Sequence, residues 1–249
     1  MNIGLYQSAA SLSALERWQG AVSQNITSSQ VPGFRKRTVE FSTLEMGEIQ
    51  TDPKGRLGSG NGQPTMFPRA TIGISFQPGD TQPTRRDFDV ALEGEGFFEL
   101  QMPDGTRGYT RAGALHPRGD HVLVSADNSP ILAEGGAKFT LQAQGGQFTV
   151  SPEGLVSQGD AQLGKLSVVR FPSNANLVPV GGGIFLSSNG VQPVPVAKPQ
   201  VMQGYLEGSN VTPLREMIAL VQIARAYEAN QKIISSRDQN MQKALDTLG

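Results

Sequence analysis

The chain has 249 residues, enough for one large domain or two smaller ones. Its formal net charge of −1 provides no global field to draw it to nucleic acid or acidic lipid, and the lack of cysteine excludes disulfides, thiolate catalysis and Cys-ligated zinc. Only 37% of residues are hydrophobic, while 30 Gly and 16 Pro are spread without a short period, which fits many turns and short strands.

The chain opens without the features of a cleaved leader. Residues 1–15 have no cationic start, and Gln7, Ser8, Ser11 and Ser13 interrupt the apolar residues. No stretch approaches the ~20 apolar residues of a membrane span, so direct membrane insertion is not expected. Leu5, Ser8, Leu12, Leu15, Trp18, Val22 and Ile26 recur at steps of three or four, close to a heptad seam. A helix from Ile3 to Ser28 would be roughly 39 Å long. Residues 1–32 hold only two charged side chains, Glu16 and Arg17. A face of Ser, Gln, Asn and Thr is cheaper to bury than a charged one. Gly4 and Gly20 weaken intrinsic helicity. The spacing fits either a helix lying on its own domain or one that orders only when packed on several sides.

Pro32 disfavours α geometry at Val31, and Pro32-Gly33 marks a turn. Arg35-Lys36-Arg37 reads as a solvated basic run. Residues 33–70 then read as a flexible arm, with Asp52-Pro53-Lys54-Gly55 and Gly58-Ser59-Gly60-Asn61-Gly62-Gln63-Pro64 as its loops.

From residue 71 the period falls to two. Ile72, Ile74 and Phe76 alternate with small residues, and Phe88, Val90 and Leu92 alternate again. Phe97–Met102, Pro103-Asp104-Gly105 and Thr106–Arg111 form the clearest hairpin signal. Further strands are expected at 121–125, 138–142, 147–150, 164–171, 184–187 and 200–205. An antiparallel β-rich domain over 71–205 follows, sandwich or barrel-like.

Little in this region carries chemistry. Gly94-Glu95-Gly96 lacks the third Gly of a dinucleotide fingerprint and reads as a bend between strands. Gly181-Gly182-Gly183 lacks the Lys of a phosphate loop and reads as a hairpin turn. His116 and His121 flank a turn without an evident third metal ligand. No nucleophile elbow or carboxylate pair stands out. No catalytic residue, metal or cofactor is assigned, and the chain is not read as an enzyme.

The last segment, 206–249, is helical. Thr212 suits an N-cap and Pro213 the first helical position. The apolar stripe runs Leu214, Met217, Val221, Ala224, Tyr227, Ile234, Met241, Leu245 and Leu248, interrupted at Gln231 and Asp238. Glu228 and Lys232 form an i,i+4 pair on a polar side. The fold class is therefore α+β: terminal helices (1–32 and 206–249) forming a coiled-coil or helical domain, and a central β-rich domain.

These residues carry a resemblance. Glu207-Gly208-Ser209-Asn210-Val211, then Glu216-Met217-Ile218, then Arg225-Ala226-Tyr227-Glu228-Ala229-Asn230 resemble the C-terminal signature of bacterial flagellar basal-body rod and hook proteins. Residues 20–34 are similar to that family's N-terminal signature at Asn25-Ile26 and Pro32-Gly33-Phe34, and depart from it at Gln24, Thr27, Ser28 and Val31. The run Asp89–Phe98, with Tyr109-Thr110-Arg111-Ala112-Gly113, resembles its β-domain.

The resemblance implies a structural subunit of the periplasmic rod in the flagellar basal body, polymerising through its terminal helices into the axial drive shaft. It implies partners among copies of itself and other axial rod and hook proteins. It also implies passage, unfolded, through the flagellar export apparatus without a cleaved signal peptide. The length suits a rod subunit, and a compact segment after Phe34 favours a proximal position over a distal rod or short hook-type one. The alternative from the residues alone is a non-enzymatic β-domain binding module with an intramolecular terminal helix pair.

Overall fold

The computed structural model describes residues 3–50, 62–188 and 190–248. They fall into two compact units, Met1–Thr27 with Arg37–Ser75 and Thr212–Gly249, and Ser28–Lys36 with Phe76–Val211.

The first unit contains α1 (Ile3–Thr27), β1 (Arg37–Gln50), β2 (Gly62–Ile74) and α2 (Pro213–Leu248). The two helices pack antiparallel. Asn25 near the end of α1 bonds Glu216 in the first turn of α2, and the Arg237 guanidinium lies over Gly4 near the start of α1. Since 21 residues separate each pair, the helices run in step. The last three turns of α2 continue past Ile3. α1 turns Ala14, Leu15, Ala21 and Val22 inward, and Trp18 meets Phe41 of β1 edge-on at 5.4 Å. Arg17 donates to the Ala70 carbonyl of β2 at 3.3 Å, and Gln7 to that of Met66 at 3.1 Å.

Two expectations need correction here. The terminal helices do not form a coiled coil. The heptad residues Leu214, Met217, Val221 and Ala224 of α2 are exposed, and the less exposed residues include Glu216, Leu220, Ile223, Tyr227, Asn230 and Ile234. α1 also packs against a β-hairpin, so much of its stripe meets strands and not helix knobs. Secondly, much of the expected flexible arm is sheet: β1 and β2 pair antiparallel from Arg37↔Ile74 to Gln50↔Gly62 with one irregularity between Glu45 and Glu48. Gly62 and Pro64, at the start of β2, belong to the Gly- and Pro-rich run that reads as loop. In a two-stranded hairpin, both strands are edges, where Pro is tolerated. The Asp52–Gly55 and Gly58–Asn61 turns lie outside the described residues. The proximal position rested on a compact segment after Phe34, and a 14-residue strand beginning at Arg37 removes that ground.

The second unit is antiparallel throughout its ladders. A six-stranded sheet runs in the spatial order Leu177–Gly181, Ile184–Ser187, Arg107–Thr110, Phe97–Gln101, Val168–Arg170, Val194–Pro195. A three-stranded sheet joins Ala161–Lys165, Leu155–Gln158 and Phe148–Val150. Strand Val90–Glu93 pairs with Gln200–Gln203, and Thr81–Pro83 with Tyr205–Glu207. The core is one apolar cluster centred on Phe98, Leu123, Ile131, Phe139, Val156 and Leu166.

The expected hairpin at Pro103-Asp104-Gly105 forms. Gly105 takes φ 84 and donates to the Met102 carbonyl at 2.9 Å, and the Asp104 carboxylate accepts the Thr106 N–H. Gly94–Gly96 bends between strands and Gly181–Gly183 turns a hairpin. The expected strand at 138–142 is only a set of isolated bridges, although Phe139 and Leu141 are buried. His116 lies on strand Leu115–Pro117, and His121 is exposed with φ 64.

Gly33 is fixed by its surroundings. Its φ is 68, and a Cβ there would lie 2.4 Å from Ala112 N and from Arg111 C. Gly33→Ala should destabilise the β-rich unit by about 1–3 kcal/mol from backbone conformation alone, with the clash added. Urea unfolding followed by tyrosine fluorescence checks this, and a loss under ~0.5 kcal/mol, the size of an ordinary surface substitution, would contradict it.

Candidate assembly interface

The two ends of the chain meet through specific polar contacts. In the first unit Asn25 is only 1% exposed. Its Nδ2 donates to the Arg37 carbonyl and to Glu216 Oε2, both at 2.9 Å, while its Oδ1 accepts the Arg37 N–H at 2.8 Å. One amide thus joins the end of α1, the start of β1 and the first turn of α2. Glu216 is also buried, and α2 opens with Thr212 O accepting from Arg215 and Glu216 N–H. An acidic side chain in a first turn is favoured by the helix dipole.

The second unit repeats the pattern between 33–36 and 207–210. Gly33 N donates to Glu207 O at 2.8 Å, and Asn210 Oδ1 accepts Lys36 N–H at 2.6 Å. Asn210 Nδ2 donates to Gln77 O at 2.8 Å. Phe34 is buried and Pro32 half-buried. Gly208 N donates to Asp80 O, and Gly208 O lies where a Cβ on Gly79 would stand, 2.1 Å away. Arg35 pairs with Glu207 at 2.5 Å.

The remaining helix positions divide by face. On α1, Leu15 and Val22 are buried, Leu12, Trp18 and Ile26 are half-buried, and Leu5 is exposed. That stripe is largely covered within the molecule. On α2 the covered stripe of Glu216, Leu220, Ile223, Tyr227, Asn230 and Ile234 leaves a second one in solvent. Leu214 (68% exposed), Met217, Ile218 and Val221 (53%), with exposed Ala224, lie about 140° around the helix from it. Met241 is also exposed, and the Leu245 side chain lies outside the described residues. Arg225 and Glu228 are exposed, and Asn230 donates to the Ala226 carbonyl at 3.0 Å. The hairpin adds Phe41, Leu44, Met66 and Ile72, all exposed.

Residues 202–247 match the model described as the flagellar basal body rod FlgEFG protein C-terminal, and residues 91–158 that of the flagellar hook protein FlgE/F/G D1 domain. Over 250 residues the chain is 30% identical to the flagellar basal-body rod protein FlgF of Caulobacter vibrioides, spanning 100% of this chain and 99% of that relative. The chain belongs to the flagellar basal-body rod protein family. It is 30% identical to FlgG of Buchnera aphidicola over 262 residues, covering 96% of this chain and 97% of the relative. It is 29% identical to FlgF of Escherichia coli over 256 residues, covering 98% and 97%. As a member of the rod family, the chain is a structural subunit of the rod.

Family membership gives the polar contacts their context: residues from the two terminal signatures are hydrogen-bond partners. Residue spacing gives no contact role to three of the residues involved, although Arg111 and Glu207 stand in the family's motif runs. Arg35 was read as part of a solvated run but is 3% exposed, and Arg111 and Glu207 are buried with it. The available signal was that Arg35 directly follows Pro32-Gly33-Phe34, a turn that carries it inward. Ile218 stands in the C-terminal signature but off the heptad stripe, and the hairpin apolars lie in a segment whose Gly and Pro read as loop.

Asn25→Ala removes three hydrogen bonds and leaves the Arg37 N–H and carbonyl without that partner. It should cost about 2–3 kcal/mol, from broken buried hydrogen bonds. Urea unfolding followed by helical circular dichroism measures it, and a midpoint unchanged from wild type would contradict the role given to this amide.

Proposed function

We propose that this rod subunit assembles by burying the uncovered stripe of α2, Leu214 to Ala224, against neighbouring copies and other axial rod and hook proteins. The observation that carries the reading is that α2 has apolar residues on two faces and its own chain covers one. A contiguous exposed apolar patch of this kind marks an interaction surface. Covering each half-exposed Leu, Met, Ile or Val contributes about 1 kcal/mol, so a subunit touching several neighbours accumulates a useful total. The exposed hairpin residues Phe41, Leu44, Met66 and Ile72 offer a further contact area.

The intramolecular helix pair required by the binding-module alternative is present. It occupies the Ile223 face and leaves the Val221 face free, so it is compatible with assembly. Placement in the periplasmic part of the basal body, and arrival there unfolded through the flagellar export apparatus, complete the proposal. A two-stranded hairpin and a Gly-containing, weakly charged α1 are marginal alone, which suits a chain that must be threaded unfolded and then re-formed.

Met217→Glu and Val221→Glu should abolish polymerisation, read by sedimentation and electron microscopy, while changing monomer stability by no more than ~0.5 kcal/mol. Ile223→Glu should instead unfold the helical unit, because it buries an unpaired charge. Normal polymers from Val221→Glu would overturn the proposed face.

A further inference from the structure

The helix pair of the first unit is uneven in length. α1 starts at Ile3, while α2 runs on to Leu248. Since Arg237 lies over Gly4, residues 238–248 extend roughly 16 Å past the described start of α1. The side of α2 that meets α1 carries Ile223, Tyr227, Asn230 and Ile234. Met241 follows Ile234 by two turns, and Leu245 and Leu248 come four and seven residues after it, so the helical repeat keeps these positions on that same side. Ile223 is buried and Ile234 half-buried, yet Met241 is 43% exposed. Among the described residues, the inward side of α2 thus stays apolar after its partner helix has stopped.

This overhang is amphipathic in its own right. Its charged residues beyond Asp238 are Lys243 and Asp246, both exposed and about 140–160° round the helix from Met241. An apolar side without charges is cheap to remove from water. At the opposite end of α2, the uncovered stripe from Leu214 to Ala224 spans roughly 15 Å, close to the length of the overhang. A shift of one subunit along the helix axis brings the two together, overhang on stripe, with both α2 helices running in the same direction. Such a contact joins different surfaces on the two copies. A shift along an axis never closes on itself, so the contact propagates as a filament.

We propose that residues 238–248 of each subunit dock, by the side that Met241 marks, onto the Leu214–Ala224 stripe of the next copy along the helix axis. The proposal rests on the assembly face described above and names its occupant, the α2 overhang of a second copy. One side of a helix this short covers less than the roughly 800 Å² per partner of a standard stable interface. The contact therefore leaves dilute subunits monomeric and takes hold only where lateral neighbours add to it.

The test is disulfide cross-linking of full-length double variants, in a chain that has no cysteine of its own. Met217 and Met241 lie roughly 36 Å apart along one helix, so a bond between cysteines at these two positions joins two chains. Polymers of Met217→Cys/Met241→Cys, oxidised in place, should yield a ladder of multimers, and neither single variant should. A ladder from Phe41→Cys/Met241→Cys with none from the first pair would overturn the proposal and put the hairpin over the overhang. Abundant dimer from Met241→Cys alone would overturn it too, since overhang would then meet overhang. Absence of any bond to position 241 counts against it equally. If the double variant does not polymerise, full-length Met241→Glu decides: the critical concentration should rise by about tenfold or more with the unfolding midpoint unchanged, and an unaltered critical concentration rejects the contact. Loss of polymers with Val221→Glu but no bond between positions 217 and 241 rejects the overhang contact and leaves the α2 face intact, whereas normal polymers from Val221→Glu remove both.

Discussion

The governing constraint is circumference. Over its first three turns, α2 carries apolar side chains on more of its surface than its antiparallel partner helix covers. Ile223 and its stripe are sheltered, while Leu214, Met217, Ile218 and Val221 remain in solvent. In an isolated globular protein such a stripe is a liability for aggregation. In the assembly proposed above, the same stripe is what neighbouring subunits cover. The α1 stripe contrasts with it, since Leu15 and Val22 are consumed internally. Each helix therefore has a different job: α1 organises the subunit, and α2 both organises it and presents a face outward.

What holds α2 in that orientation is polar. Asn25 and Glu216 are 191 residues apart and bonded at 2.9 Å, and the register is repeated where Arg237 covers Gly4. Apolar packing alone would let a helix rotate about its axis, since both of its faces are greasy. A buried amide–carboxylate contact has one satisfied arrangement, and it selects the face that is hidden. Fixing which stripe turns inward fixes which turns outward. In the β-rich unit, the 33–36 and 207–210 segments lock by the same means, with Gly33 chosen because no side chain fits against Arg111 and Ala112.

Much of this was legible from residue spacing. α1 stops at Thr27, before the Pro32-Gly33 turn, α2 starts at Pro213, behind its Thr212 cap, and the 97–110 hairpin follows from its Pro-Asp-Gly turn. The hairpin of β1 and β2 was not legible, because Gly and Pro in the segment mimic a loop when edge strands tolerate both. The inward face of α2 was also hidden. A heptad pattern starting at Leu214 describes one apolar stripe, but nothing in the spacing says that the chain's own partner takes the other one. That choice is made by Asn25, a single polar residue whose partner lies at the opposite end of the sequence. The ion cluster escaped for a related reason: Arg35 belongs to a run of three basic residues, and only the turn at Gly33 turns one of them inward.

The most direct test uses the natural absence of cysteine in this chain. Single-cysteine variants Val221→Cys and Ile223→Cys are reacted with a maleimide, first as monomer and then after polymerisation. The account predicts that Val221→Cys reacts rapidly in the monomer and at least an order of magnitude more slowly in the polymer, while Ile223→Cys is slow in both. Equal reactivity of Val221→Cys in monomer and polymer would contradict it, because the outward stripe of α2 would then not be where subunits meet.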